Sequence, residues 1–409
     1  MTPKPRRVAQ IASVGSHSPW FADICSEMAR RGYDVFAIID SAGGNLGARL
    51  TSLGIRHYKV PMHFAESLDR ARLPFYLFRL PISAFKVARI LRRENAGIAH
   101  SHIFVANLVT RMARFFTGAR NISSAAGPRH LEAPLTRFVE RLTWRIDAAI
   151  VAGCEYTAAL YRNAGAPSGR VECIYYGPPA ERFDPSKVDA TSFRRDLGIA
   201  PDVPLIGLIA HFYPPMRGPQ APPITRGVDL KGHDHFVAAA RIVAKRFPEA
   251  RFVLVGSGSN PRGESYRQSL IDACRDDGFD SRVFFPGHRN DIAEVLASFD
   301  VAVQCPLTET LGGTIEALLM ERPTVATRVG GIPESVRHEE TGLLVPPADP
   351  TSLAAAIERL LANPEEGRRL GAAGRKLMLE RFTLARTGAD LAALYERVAS
   401  VGLNGTLRS

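Results

Sequence analysis

Short apolar runs recur along this chain at nearly regular intervals, and the stretches between them repeat their apolar residues at helical spacing. In the first half the runs are Val8–Ser13, Val35–Asp40, His57–Val60, Ile98–His102, Asn121–Ala125, Ala148–Ala152 and Val171–Tyr175. In the second half they are Leu205–Ala210, Arg251–Val255, Val283–Pro286, Val301–Cys305, Thr324–Thr327 and Gly342–Val345. Helical patterns lie between, among them Trp20–Arg31, Phe236–Phe247, Ile292–Phe299 and Pro350–Ala362. A run of this kind is a strand buried on both faces, and its alternation with helices predicts an α/β protein of parallel sheets. Two such series predict two doubly wound, Rossmann-like domains. The hinge is expected between Tyr176-Gly177-Pro178-Pro179 and Ile199-Ala200-Pro201, giving domains at 1–190 and 191–383. A ligand then belongs at the carboxyl ends of the strands, in a crevice between the sheets.

Two segments break the rhythm. Pro214 to Val228 is rich in proline and glycine and reads as a loop beside that crevice. Leu73 to Arg93 is apolar, aromatic and basic. On a helix its Lys86, Arg89 and Arg93 share a face, while Ile82, Phe85 and Leu91 offer apolar surface for packing. It reads either as a helix on the first sheet with a basic outer face, or as an interfacial membrane contact.

Composition adds bounds. The 409 residues are 45% hydrophobic and 23% charged, the balance of a soluble globular protein. No apolar run reaches the roughly 18 residues that cross a bilayer. The opening MTPKPRRVAQIASVG reads as a first strand, not a secretory signal. The expected location is therefore the cytoplasm, with a peripheral position at the inner face of the membrane as the variant. Cys25, Cys154, Cys173, Cys274 and Cys305 are odd in number and widely spaced, which predicts free thiols and no zinc site. Residues 1–200 hold 28 Lys/Arg against 16 Asp/Glu, whereas the remainder holds 24 against 25. The excess of positive charge thus belongs to the first half. It suits an anionic acceptor or a membrane surface. No nucleic-acid partner is expected.

The stretch from Cys305 to Pro350 carries the chemistry. A buried strand, Val301-Ala302-Val303, leads to Glu309, the pair Gly312-Gly313 and a helical run beginning at Thr314. A strand that ends in glycines and opens into a helix presents unpaired N–H groups and a positive dipole end, a ready site for a diphosphate. Glu316 lies in the first helical turn and can accept hydrogen bonds from a ribose diol. Glu309, on the loop, can reach the hydroxyls of an attached sugar. The plain structural alternative is a dipole-stabilising glutamate beside an ordinary Gly-Gly turn. Pro323-Thr324-Val325-Ala326-Thr327, Gly330-Gly331-Ile332-Pro333-Glu334 and Thr341-Gly342-Leu343-Leu344-Val345-Pro346 follow.

This whole passage resembles the donor-binding segment of family 4 glycosyltransferases, the retaining enzymes of GT-B architecture. Six residues separate Glu309 from Glu316, one fewer than the common family spacing. The resemblance extends over nearly the full chain and is stronger from about 200 to 385. It implies that Lys231, in Lys231-Gly232, contacts the donor diphosphate. His211 stands where the family usually has a second cationic anchor, so Arg226, or else Arg217, is the substitute. The resemblance places Phe284-Phe285-Pro286-Gly287-His288-Arg289 at the nucleobase, which adds His288 and Arg289 to the donor set with Gly312, Gly313, Thr314 and Glu316. It gives His102 and Glu309 roles at the reacting sugar, and puts Gly15 in a small loop close to donor and acceptor. Arg129 and His130 become acceptor candidates. The final helix, within 384–409, is expected to return to the first domain.

Gly256-Ser257-Gly258 also follows a strand, but Pro261 stands where a dinucleotide fingerprint needs its third glycine. No D-x-D occurs, so no metal and no further cofactor are expected. The sequence thus predicts a retaining glycosyltransferase whose donor is a nucleotide-diphosphate sugar, with UDP or GDP as carrier. A glycan, a lipid-linked molecule or a small molecule is the acceptor. The alternatives are a sugar-nucleotide epimerase of GT-B-like fold and a non-catalytic nucleotide-sugar-binding protein.

Overall fold

The computed structural model describes residues 7–14, 18–41, 44–62, 73–125, 127–215 and 223–400, with backbone alone at 73–77. The chain divides into two compact units, 1–178 with 383–409, and 179–382.

The first unit contains strands β1 (Arg7–Ala12), β2 (Asp34–Asp40), β3 (Arg56–Val60), β4 (Ile98–His102), β5 (Arg120–Ala125), β6 (Ala149–Ala152) and β7 (Val171–Cys173). They form one parallel sheet in the order β3-β2-β1-β4-β5-β6-β7. The second contains β8 (Leu205–Ile209), β9 (Arg251–Val255), β10 (Val283–Gly287), β11 (Val301–Gln304), β12 (Thr324–Thr327) and β13 (Leu343–Val345). Its parallel sheet runs β10-β9-β8-β11-β12-β13. Every strand expected from the apolar runs is present, with ends shifted by at most two residues. The runs are unbroken because helices cover both faces: Val8, Ala9, Ile11 and Ala12 are all fully buried.

Residues 179–190, assigned above to the first domain, belong to the second unit. The Arg375 guanidinium donates to the carbonyl of Phe183 and approaches Asp184 at 3.8 Å, which ties this segment to the Pro364–Arg381 helix. The Leu384–Ser400 helix does return to the first unit. Its Leu391 and Leu394 enter that core, and Thr387 donates to the Tyr175 carbonyl at 2.6 Å.

The Leu73–Arg93 segment is a helix, as its periodicity predicts. Ala84, Val87, Ala88 and Leu91 pack inward, and Lys86, Arg89, Arg92 and Arg93 face out. The expected packing role of Ile82 and Phe85 is overturned: they are 44% and 62% exposed. At 100° per residue they fall on the basic side, and the inward side is filled by smaller residues that bring the helix close to the sheet. All five cysteines are free. No described helix is long and apolar enough to cross a membrane.

Candidate functional site

In each sheet the strand order reverses once, between β1 and β4 in the first unit and between β8 and β11 in the second. At such a point the connections leave in opposite directions and open a crevice at the strand ends, where ligands bind in folds of this kind. In the second unit the two connections that flank this point carry Lys231 and the Glu309–Glu316 loop.

Lys231 is fixed by its neighbours. Asp229 accepts the Lys231 backbone N–H at 3.1 Å, and both the N–H and the imidazole Nδ1 of His233 at 2.5 and 2.9 Å. Gly232 follows at φ +78°, and a Cβ there would lie 2.0 Å from the Cys305 carbonyl oxygen. Only glycine lets the Lys231 loop press so closely on the end of β11. The Lys231 ammonium forms an ion pair with the Glu309 carboxylate. Burial alone would push the Lys231 amine down; the charges of Glu309, Tyr213 and Asp229 more than offset this, and the net shift is upward.

Glu309 is braced from three sides. Its Oε1 accepts the Thr310 N–H at 2.9 Å, and its carbonyl accepts the Gly331 N–H at 3.3 Å. A Cβ at Gly330, whose φ is +52°, would sit 1.8 Å from that carbonyl oxygen. The Gly-Gly-Ile-Pro-Glu loop therefore acts as a backbone clamp on Glu309. Gly313 packs against Gln304, where a Cβ would meet Nε2 at 2.8 Å, and that same amide donates to the Ile209 carbonyl across to β8. Gln304 was missed by sequence reasoning; its place at the end of β11 was the available signal.

The Thr314–Leu319 helix begins directly after Gly313, with no side-chain cap. The Thr314 hydroxyl is spent on Ser335 at 2.7 Å, so only its backbone is available to a ligand. Glu316 lies in the first turn, and its Oε2 is buried without a hydrogen-bond partner among the described residues. Burial raises its pKa above the ordinary carboxylate value, a bond from its own backbone N–H and the Arg182 charge oppose the rise, and Glu309 adds to it. A buried oxygen with no donor is costly, and ligand binding is one way to satisfy it. Arg182 is the second residue missed; it lies within the segment first assigned to the other domain.

The remaining donor candidates differ. His211, at the end of β8, is half-buried, and its ring lies parallel to His288 with centroids 6.5 Å apart. His288 is exposed and contacts Asn290 at 3.2 Å. Arg289 is engaged within the unit, bonded to Asp291 and Asp196 and stacked over Phe193 at 5.3 Å. Arg226 is exposed, and Arg217 lies outside the described residues. Gly256 and Gly258 serve packing: a Cβ on either would lie about 2 Å from backbone atoms of Ala210 or Glu264.

In the first unit, His102 ends β4 and Gly15 lies outside the described residues. The His102 ring is fully buried among Trp20, Phe21, His100 and Tyr176. Its Nε2 meets the Gln10 carboxamide oxygen at 2.7 Å, and Nδ1 faces the Tyr176 hydroxyl at 3.3 Å. Burial pushes its pKa down to about 3, so the ring is neutral at physiological pH. Ile103 follows at φ +75°, an unusual conformation for a β-branched residue. His130 is half-buried: its Nε2 pairs with the Tyr161 hydroxyl at 2.8 Å, and burial lowers its pKa. Arg129 is half-buried. Among the described residues no group of His, Cys, Asp and Glu is arranged to hold a metal.

Comparison with known proteins agrees with this architecture. Residues 225–363 match the family model for glycosyl transferases group 1, and residues 18–177 match that for the glycosyl transferase 4-like domain. The D-inositol 3-phosphate glycosyltransferase of Saccharomonospora viridis is 26% identical, over 98% of this chain and 96% of its own. The protein of that name from Rhodococcus erythropolis is also 26% identical, over 98% and 94%. The crystal structure of HepE from Anabaena with UDP-glucose superposes with a TM-score of 0.79 at 19% identity, covering 96% of this chain and 99% of that one. Sucrose-phosphate synthase from Thermosynechococcus elongatus gives 0.78 at 19%, covering 97% and 100%.

Proposed function

Because the chain is a GT-B glycosyltransferase of the family 4 type, we propose that it transfers a sugar, with retention, from a nucleotide-diphosphate sugar held by the second unit. The observation that carries this reading is the Oε2 of Glu316, without a partner among the described residues, one turn from Gly312-Gly313 and beside the Lys231–Glu309 pair. A carboxylate accepts hydrogen bonds only, and a ribose diol donates two. Lys231 and the N–H groups that open the Thr314 helix would take the diphosphate. That arrangement stabilises the charge which grows on the leaving group. No bound metal is called for.

In the step proposed, an acceptor hydroxyl oxygen bonds to the anomeric carbon as the bond from that carbon to the diphosphate oxygen breaks. The attack is front-face, and the hydroxyl proton passes to the leaving phosphate. The products are the glycosylated acceptor and a nucleoside diphosphate. Glu309 would hold the sugar hydroxyls; donor engagement at Lys231 would release it for that task. His102, neutral and fixed by Gln10, is suited to positioning the reacting sugar's surroundings and not to proton transfer.

The acceptor belongs to the first unit in this reading. HepE is described with UDP-glucose, and the curated relatives act on an inositol phosphate by name. UDP-sugars and a phosphorylated polyol are therefore the first pair to assay. The test combines thermal shift across UDP- and GDP-sugars with product analysis on an acceptor panel. An α-linked product from an α-linked donor supports the reading. Interconversion of donors without an acceptor would identify an epimerase, and binding without turnover on every acceptor would identify a binding protein.

A further inference from the structure

We propose that the outer face of one helix layer in the first unit docks on an anionic lipid bilayer. The Leu73–Arg93, Phe104–Arg114 and Pro134–Thr143 helices are the crossovers that follow β3, β4 and β5. All three connections run in one direction along the sheet, so right-handed crossovers place them on the same face. They are also joined directly: the first two pack together, and Arg111 of the second bonds Glu140 and Thr143 of the third.

This layer leaves apolar side chains in water in register with its cations. On the Leu73–Arg93 helix Phe78, Ile82 and Phe85 are exposed, Phe78 to 72%. Their spacing puts them on the face of Arg89 and Arg92, with Lys86 and Arg93 at its edge. The Phe104–Arg114 helix ends in Phe115 and Phe116, the former 76% exposed. On the Pro134–Thr143 helix Leu135, Phe138 and Leu142 form a second exposed stripe, flanked by Arg141.

The charge on this layer has one sign. From Leu73 to Arg145 the chain has 12 Lys/Arg and 3 Asp/Glu; of these cations Arg111 is buried and Arg120 lies in β5, and the other ten remain. Of those three acids, Glu94 is bonded to Arg56, Glu140 is buried against Arg111, and Glu132 meets the Tyr156 hydroxyl. Apolar side chains flanked by Lys and Arg, on helices lying flat against a sheet, are the pattern of an interfacial surface that inserts into the headgroup boundary. A second copy of this chain is a poor occupant, since a two-fold contact would set the basic stripe against itself. A soluble polyanion would answer the charges but leave Ile82, Leu135 and Leu142 in water. An anionic bilayer answers both.

The experiment is co-sedimentation of the full chain with vesicles of phosphatidylcholine alone and of phosphatidylcholine with phosphatidylglycerol, across a salt series. Binding to the anionic vesicles should exceed binding to neutral ones by about tenfold or more and fall as salt rises. The double variant Phe85→Ser, Phe138→Ser should lose about tenfold of that binding while keeping the wild-type melting temperature, because both positions are exposed. Equal binding to the two vesicle types would overturn the proposal. So would wild-type binding by the double variant, or a chain dimer in sedimentation that the variant converts to monomer. Because the donor residues lie in the other unit, each of these results leaves the glycosyltransferase reading untouched.

Discussion

A fully buried glutamate in the first unit and a half-buried one in the second, Glu140 and Glu316, have opposite surroundings. Glu140 accepts two hydrogen bonds from Arg111, at 2.7 and 2.8 Å, and a third from the Tyr161 hydroxyl at 2.8 Å. Burial alone would raise its pKa, but the Arg111 bonds and charge overcome this and the net shift is downward. Among the described residues Glu316 has no such partner for Oε2, and its pKa moves upward. The first belongs to a network that ties the Phe104–Arg114, Pro134–Thr143 and Glu155–Asn163 helices together. Other buried side-chain atoms also lack a partner among the described residues, Asp147 Oδ1 beside Arg111 among them; what sets the Glu316 oxygen apart is its place in the first helical turn beside Gly312-Gly313 and the Lys231–Glu309 pair.

This contrast can be broken at either end. The largest expected effect is on stability: Glu140→Ala leaves the Arg111 guanidinium, only 1% exposed, facing Asp147 without its second carboxylate. A loss of about 3–5 kcal/mol is expected in denaturant unfolding. A loss below about 1 kcal/mol would mean the network contributes little. Next is Lys231→Ala, which should lower turnover by a factor corresponding to about 3–4 kcal/mol, the scale for removing a charge that stabilises a leaving group. Near-normal steady-state turnover would exclude Lys231 from that role.

Glu316→Ala should behave in the opposite sense from Glu140→Ala. It should leave stability nearly unchanged, since it removes an unsatisfied group, yet weaken nucleotide binding by about 1.5–3 kcal/mol. Calorimetry on the folded variant separates the two. The smallest effect is with pH. The folded carboxyl of Glu316 keeps its proton to a pH above the ordinary value of 4.5. Ribose hydroxyls donate to the charged form, so binding releases a proton. Nucleotide affinity should therefore rise with pH through the raised value and level off above it. In Glu316→Gln this component should vanish, leaving only the titration of the nucleotide itself.

The sequence was most legible where burial imposes a pattern. Strands covered on both faces must be apolar throughout, so Val8–Ser13 and Val301–Cys305 could be read directly. The glycines that matter were visible too, but not their reasons: Gly232 and Gly330 are shaped by contacts with Cys305 and Glu309, some 70 and 20 residues away. Side-chain partners were hidden for the same cause. Arg289 reads as a free cation beside a base loop, and Asp196, distant in sequence, takes it. Phe85 reads as core because it is apolar, and only the position of the sheet shows that it points out.

The central claim is that the Oε2 of Glu316 exists to hold a ribose diol. Calorimetry with UDP or GDP, whichever raises the melting temperature, and with its 2′,3′-dideoxy analogue, measured on wild type and Glu316→Gln, tests this as a double-mutant cycle. The account predicts that the wild type prefers the diol by about 1.5–3 kcal/mol and that the variant loses most of this preference. Equal discrimination by both proteins would contradict it, because the carboxylate would then not be the group that meets the ribose.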